Sequence, residues 1–535
     1  MFDLIIKKGM IYDGTGAEPY LGDIGVIGDR IEAVGDLSSA VGRVVLQAEG
    51  KAIAPGFIDI HSHSDPTILA NPRAESKIRQ GVTTEVPGQC GSSAAPIYRD
   101  GLETVRYSYE KFGVAVDWNT MAEYYDRVNH AGVSVNVAPL IGLGTVRMSV
   151  VGHEARRATS LEMDMMKDLI RESMKAGAFG VSSGLIYPPG CFTETNELIE
   201  LAKTAGEFVG IYVTHIRGES DALIESVAEA IAIGKAAGVK VHISHHKAAG
   251  VQNWGKVDLT LKMIEEANAQ GVDVAFDVYP YVAGNTSITA LIPAWAHDGG
   301  TDVLLKRLND QNIRDQLTAE LETGIPGWEN FAKAAGWDNI LIVRLESPGN
   351  KYLEGKTIAE AASIRKQAPQ EFVYDLILEE KGQTVSIVMF MMCEDDVEKV
   401  LAHPLAMIGS DSGTVAPYGV LSAGKPHPRA YGTFARVLGR YVRERGIMPL
   451  AEGIHKMTWA SAQRMCIKGR GKIEKGYYAD LVLFDPDTIM DQATFQDPHQ
   501  YAIGVDSVVV NGKVTVYQGE HTGVTAGRML KMDCD

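Results

Sequence analysis

The chain has 535 residues, 45% apolar and 22% charged, an ordinary globular composition with room for one large domain and a smaller one. Its 51 Lys and Arg against 68 Asp and Glu give a net charge of −17, which argues against nucleic-acid partners and anionic membrane surfaces. No apolar run approaches the ~20 residues that span a bilayer, and residues 1–10 (MFDLIIKKGM) lack the basic start and long apolar stretch of a secretory signal.

The first fifty residues read as short strands, 3–7 (DLIIK), 23–27 (DIGVI), 30–34 (RIEAV) and 44–47 (VVLQ), punctuated by Gly and Asp. The end of the chain has the same texture at 479–484 (ADLVLF), 505–510 (VDSVVV) and 512–516 (GKVTV). Two β-rich ends around a long middle predict a small β-sandwich assembled from both termini, residues 1–55 and 469–535. The middle, residues 56–468, alternates strand and helix. Strand candidates lie at 52–59, 83–86, 133–140, 179–183, 209–214, 239–243, 272–278 and 405–409. Amphipathic helices fall between them. In residues 160–176, Leu161, Met165, Leu169 and Ile170 recur at helical spacing, and the Ala-rich 220–237 segment opens on Ser and Asp as an N-cap. Eight such units predict an α/β fold of the (β/α)8 TIM-barrel type. Residues 385–391 (VSIVMFM) form a ninth strand candidate, taken as accessory although it could be the seventh barrel strand. Residues 294–337 read as an insertion that could serve as a lid over the barrel mouth.

Chemistry-bearing residues collect where barrel strands end. His61 and His63 follow the apolar run of strand one. Side chains two apart share a strand face, so both imidazoles can reach one ion. His215 ends strand five and His245 follows strand six. Each histidine alone could be a hydrogen-bonded structural residue; four at matching strand ends point to a metal. His242 and His246 should face away from His245. Asp411 follows strand eight, where a carboxylate beside a cation stays ionised and can move a proton. Cys90, in 87–91 (PGQCG) after strand two, suits zinc as a thiolate, with a nucleophile as the rival role. The five cysteines, Cys90, Cys191, Cys393, Cys466 and Cys534, are scattered and odd in number, so they argue for a reducing, cytoplasmic setting rather than a disulfide framework. Arg429, in 427–429 (HPR), can grip a substrate carboxylate, and Lys247 projects toward the same mouth.

With these residues in place, the sequence resembles the amidohydrolase superfamily, and closely its N-acyl-D-amino-acid deacylases. The matching stretches are 55–63 (PGFIDIHSH), 88–91 (GQCG), 184–190 (GLIYPPG), 243–247 (ISHHK), 279–284 (YPYVAG), 408–411 (IGSD), 427–434 (HPRAYGTF) and 477–485 (YYADLVLFD). The resemblance implies one tight zinc on Cys90, His215 and His245, a weaker second metal position at His61 and His63, and Asp411 as general base and acid. It also supports Tyr281 and Ser287 beside Lys247 and Arg429 in binding a small N-acyl-D-amino acid. Many relatives bridge two metals with a modified lysine on strand four; residues 179–183 (FGVSS) offer none, which favours a single functional zinc. Two other readings stand beside this one: a cyclic-amide hydrolase of the hydantoinase or dihydroorotase kind, and a non-catalytic scaffold. The complete ligand set argues against the scaffold. The sequence leaves the oligomeric state, the acyl group and the choice between apolar and acidic D-side chains open.

Overall fold

The computed structural model of the chain describes residues 1–532; Cys534 lies outside them. The two ends of the chain meet in one nine-stranded sheet. Phe2–Ile11 pairs with Tyr20–Ile27, Gly42–Gln47 and Ala52–Pro55, and Ala52–Pro55 pairs antiparallel with Leu481–Phe484 from the far end. Period-two alternation explains its packing. Leu481, Leu483 and Val509 join Leu4, Ile24 and Ile53 in a core of the sheet's own. Their neighbours Val482, Phe484, Val508 and Val510 face the other way, into the main core.

Eight strand positions make the barrel. We label them β1 (Phe57–Asp59), β2 (Val82–Glu85), β3 (Asn136–Val137 with Ile141–Gly142), β4 (Gly180–Gly184), β5 (Ile211–His215), β6 (Val241–Ile243), β7 (Val274–Val278) and β8 (Ala406–Ile408). Successive strands pair in parallel from β1 to β8, with β3 interrupted at residues 138–140. The ring closes just beyond β1 and β8, through a parallel bridge between Ser62 and Ser412 and the bond from Asp411 N to His61 O at 2.8 Å. A fully buried Lys77 ties this seam, its Nζ 2.6 Å from Asp59 Oδ2, 2.6 Å from Ser410 Oγ and 2.7 Å from Ser412 O.

Three expectations need correction. The strand expected over 52–59 is two strands that belong to different sheets. The chain crosses between them at Gly56, where a Cβ would stand 2.2 Å from Thr83 Oγ1, so only glycine fits the crossing. In the helix Ser160–Ala176 the buried stripe is Met166, Ile170, Ser173 and Met174, while Leu161 is 71% exposed. That stripe keeps helical spacing but is rotated from the expected one. The Ala-rich helix starts at Leu223 with Ala222 as N-cap, and Asp221 instead accepts from Asn253 Nδ2 at 3.2 Å.

Residues 385–391 stay outside the barrel. Ser386–Phe390 is the middle strand of a three-stranded antiparallel sheet with Ala283–Ser287 and Ile340–Arg344, inserted between β7 and β8. The insertion therefore extends well past residues 294–337. Among the described residues no helix is long and apolar enough to cross a membrane.

Candidate metal centre and its cavity

Strand ends deliver the polar residues to one place. His61 and His63 follow β1, His215 is the last residue of β5, and His245 and Asp411 sit two and three residues past β6 and β8. Cys90 arrives on a tight turn after β2. Gly88 makes that turn possible at φ +82°, where a Cβ would meet Leu140 O at 2.2 Å. From β4, Ser182 Oγ accepts from Gly91 N at 3.1 Å and donates to Gly88 O at 2.5 Å. A serine of β4 thus braces the cysteine turn. Cys90, His245 and Asp411 all adopt left-handed backbone, at φ +50°, +35° and +48°. Such strained non-glycine residues cluster at functional sites, because a surrounding structure must hold them.

Cys90 Sγ lies 3.5 Å from His61 Nε2, 3.7 Å from His215 Nδ1 and 3.6 Å from His245 Nε2. With Zn–S of about 2.3 Å and Zn–N of about 2.05 Å, two ligands on a tetrahedral zinc stand about 3.6 Å apart. One thiolate among three imidazoles at that separation is a donor set that fits zinc. Ligand atoms of His61, Cys90, His245 and Asp411 all lie within 4.8 Å of one another, as do those of His215, Glu219 and His245. His61 thus stands as close to the sulfur as His215 and His245 do. His63 is partly exposed at the edge of the cluster, its Nε2 3.1 Å from Asp411 Oδ1, its ring 5.3 Å from that of His61, and in contact with Cys90 as well.

Two residues behind the ring had no sequence expectation. Asp277, fully buried in β7, takes His61 Nδ1 at 3.2 Å, His242 Nε2 at 3.0 Å and His245 N at 2.9 Å. Its only sequence signal is a lone charge in the apolar run VAFDV. Glu219 lies four residues past His215, its Oε1 2.9 Å from His245 Nδ1 and 2.5 Å from Lys247 Nζ. These carboxylates occupy the outer ring nitrogens of His61 and His245, which leaves each Nε2 turned toward Cys90 as a lone-pair donor. Lys247 Nζ is also 2.8 Å from His245 Nδ1. Nδ1–H donating to Glu219 is the arrangement that satisfies all three groups, because an ammonium has no lone pair to accept it. His242 turns to Asp277 and His246 to Thr260, both away from the cluster.

Burial opposes ionisation of Cys90, yet where the ring nitrogens facing it carry protons in place of a metal bond, the His61 charge and hydrogen bonds from His215, His245 and His61 hold the thiol well below its usual range. Burial would likewise raise Asp411, but Arg429, followed by the surrounding imidazoles, holds its carboxyl well below the ordinary value. Arg429 Nη1 is 2.8 Å from Asp411 Oδ2, although Nη1 and Nε make no aligned hydrogen bond. The contact is thus a charge pair that leaves guanidinium N–H groups available for another acceptor.

The cluster opens into a cavity of about 600 Å3 whose wall includes His63, Cys90, His215, His245, Asp411 and Glu219. Lys247 and Arg429 also line it. Tyr281 and Ser287 do not. The Tyr281 ring lies under Arg436 at 4.7 Å, and Ser287 caps the short helix Ile288–Leu291 with its hydroxyl on Thr289. Tyr279 faces the cavity from just past β7, and Asn285 and Thr286 from the strand Ala283–Ser287.

A family model described as the amidohydrolase family matches residues 44–516. The chain is 37% identical to a D-aminoacylase of Alcaligenes xylosoxydans xylosoxydans, over 99% of this chain and 97% of that one. It is 33% identical to an N-acyl-D-glutamate deacylase of the same organism, over 99% and 97%. A crystal structure of N-acyl-D-glutamate deacylase from Bordetella bronchiseptica, complexed with zinc and a phosphonate mimic of the tetrahedral intermediate, superposes with a TM-score of 0.84 at 32% identity. That match covers 99% of each chain.

Proposed function

This chain belongs to the amidohydrolase family, and within it we propose a zinc-dependent hydrolase that splits the amide of N-acyl-D-amino acids into a carboxylic acid and a free D-amino acid. The observation that carries this reading is the thiolate of Cys90 set 3.5–3.7 Å from three imidazoles, with Asp411 against them at the floor of a cavity. Cys90, His215 and His245 would hold the zinc. His61 and His63 stand on the side where a weaker second ion would be held. When bound there, zinc lowers the pKa of water from about 16 to about 7 and polarises a carbonyl oxygen.

The protein's own groups do the rest. Asp411 begins ionised, because Arg429 beside it outweighs the effect of burial. It can therefore take the proton of the attacking water. A carboxyl whose pKa is held low is a strong acid once protonated, so Asp411 then gives that proton readily to the leaving nitrogen. Arg429 and Lys247 meet the substrate α-carboxylate, with Tyr279 packed under the guanidinium at 4.7 Å. Tyr281 and Ser287, behind the wall, support the segment that presents Tyr279, Asn285 and Thr286. The four described cysteines are free thiols, which suits a cytoplasmic enzyme.

Cyclic-amide hydrolysis is the second reading. It fits less well, because β4 supplies serines rather than a bridging lysine and the cavity holds two buried cations suited to a free carboxylate. The test is zinc content measured with hydrolysis of paired N-acetyl-D- and N-acetyl-L-amino acids carrying Met, Leu, Phe, Glu and Asp side chains. The expected result is about one zinc per chain with turnover of D-substrates alone. Turnover of a hydantoin in their place would reverse the ranking.

A further inference from the structure

The cavity extends well beyond what an acetyl group needs. In a barrel ring the loops after β2 and β3 face those after β6 and β7 across the mouth. Lys247, Tyr279 and Arg429, which would take the amine half of the substrate, come from the β6–β8 side. An acyl chain leaves the carbonyl carbon in the opposite direction to the amine, so it runs toward the β2–β3 side. There the wall is one face of the helix Arg99–Glu110. Gly101, Thr104, Val105, Ser108 and Tyr109 line the cavity at spacings of three, four, seven and eight residues from Gly101. Gly101 to Ser108 spans seven residues, which at about 1.5 Å each makes a trough about 10 Å long.

The trough lies beside the metal turn, and a cation stands at the C-terminal end of its helix. Thr145 N donates to Gly91 O at 3.0 Å and Thr145 Oγ1 accepts from Ser93 N at 3.0 Å. This fixes the facing helix Leu143–Val150 next to Cys90, with Met148 adding an apolar surface. At the C-terminal end of the helix Lys111 lines the cavity and makes no ion pair among the described residues. Its ammonium lies 5.1 Å from the Phe112 ring, and Arg344 lies 5.5 Å from the same ring. Arg344 has Glu346 as its partner at 3.0 Å, which leaves Lys111 as the cation at this end that no carboxylate pairs with directly among the described residues.

We propose that this trough is an acyl-chain subsite that selects N-acyl groups much longer than acetyl, and that Lys111 favours chains ending in a carboxylate. The proposal rests on the deacylase reading. Three chain bonds span about 3.3–3.6 Å, so the seven carbon–carbon bonds of an eight-carbon acyl group reach about 8 Å and nearly fill the trough.

The test uses the zinc-loaded enzyme and one D-amino acid carrying acetyl, octanoyl or 7-carboxyheptanoyl groups. The octanoyl substrate is expected to exceed the acetyl one in kcat/KM by about tenfold or more, through burial of methylenes. Ser108→Trp, which fills the trough, should collapse that ratio; Thr104→Trp, at a more open position, repeats the test if the first variant folds poorly. Lys111→Met should lower the ratio of 7-carboxyheptanoyl to octanoyl by about tenfold, as expected for loss of a charge-assisted contact. An octanoyl-to-acetyl ratio near one, or one that both tryptophan variants leave intact, overturns the subsite. An unmoved dicarboxylate ratio in Lys111→Met removes Lys111 from it. Calorimetric binding of free octanoate and suberate separates this proposal from the reading beneath it. If no D-amide is hydrolysed, the deacylase reading fails, while binding weakened by Ser108→Trp still supports the trough and no binding by the unsubstituted enzyme overturns it.

Discussion

The sheet built from the two chain ends and the mouth of the barrel obey different rules. In the sheet, alternate residues take opposite faces, Leu481 and Leu483 inward to one core and Val482 and Phe484 to the other. Local preference and final structure agree along those strands, and the sheet's left-handed residues, Lys8, Asn511 and Gln518, are confined to a bulge and two turns. At the mouth, three non-glycine residues hold left-handed backbone and charged groups lie buried against one another. Local preference loses there, and only the surrounding fold keeps those residues in place. Substitutions at the mouth should therefore change chemistry or metal affinity, and substitutions in the sheet should change stability alone.

The largest effect is expected at Asp411. Asp411→Asn keeps the shape of the side chain but removes the proton acceptor, and kcat should fall by about 10^2–10^4-fold. Zinc measured by atomic emission should stay bound. A fully active Asp411→Asn enzyme would take the residue out of the reaction.

Asp277 comes next. It makes no contact with substrate space, yet it fixes His61, His242 and the His245 backbone. Asp277→Ala should weaken zinc affinity by about 10–100-fold, the cost of losing a partner that orients a metal-binding histidine. Competition with a chelator reads this directly, and unchanged affinity would reduce Asp277 to a packing residue.

What the sequence made legible follows the same division. His61, His215, His245 and Asp411 were readable because each ends a strand of strong apolar pattern, and barrel strands point their ends at one mouth. Asp277 and Glu219 were not, because their value lies in contacts from β7 to β1 and β6 and from beyond β5 to β6 that no spacing along the chain encodes. The 52–59 strand read as one piece because its apolar run is continuous; the crossing at Gly56 is dictated by Thr83, which lies on another strand. Ser287 ends the strand whose Asn285 and Thr286 line the cavity, but its hydroxyl is taken up in capping the helix Ile288–Leu291 that follows, a contact its neighbours on the strand do not reveal. The accessory sheet containing Ser386–Phe390 has the same composition as a barrel strand, so only its partners, Ala283–Ser287 and Ile340–Arg344, tell it apart.

Lys77 and Leu481 sharpen the comparison further. Lys77→Met leaves Asp59 buried without its cation and should destabilise the protein by about 3–5 kcal/mol. Because Lys77 also holds Ser410 and Ser412 on either side of Asp411, kcat should fall along with the melting temperature. Retained kcat in a folded Lys77→Met enzyme would show that the seam does not govern the aspartate.

Leu481→Ala is the counterpart in the sheet. Leu481 is fully buried, paired in register with Pro55 on one side and Val509 on the other. Truncation removes transferred apolar surface and leaves a cavity, a cost of about 2–5 kcal/mol. Its side chain packs with Leu4, Ile24 and Ile53, on the face of the sheet turned away from the barrel core. Denaturant melts should therefore show the loss, while kcat/KM and zinc content at a temperature where the variant is folded should match the unsubstituted enzyme. If kcat/KM falls instead, the chain that crosses at Gly56 from Ala52–Pro55 into β1 and His61 transmits packing in the sheet to the metal centre, and the two regions are one mechanical unit.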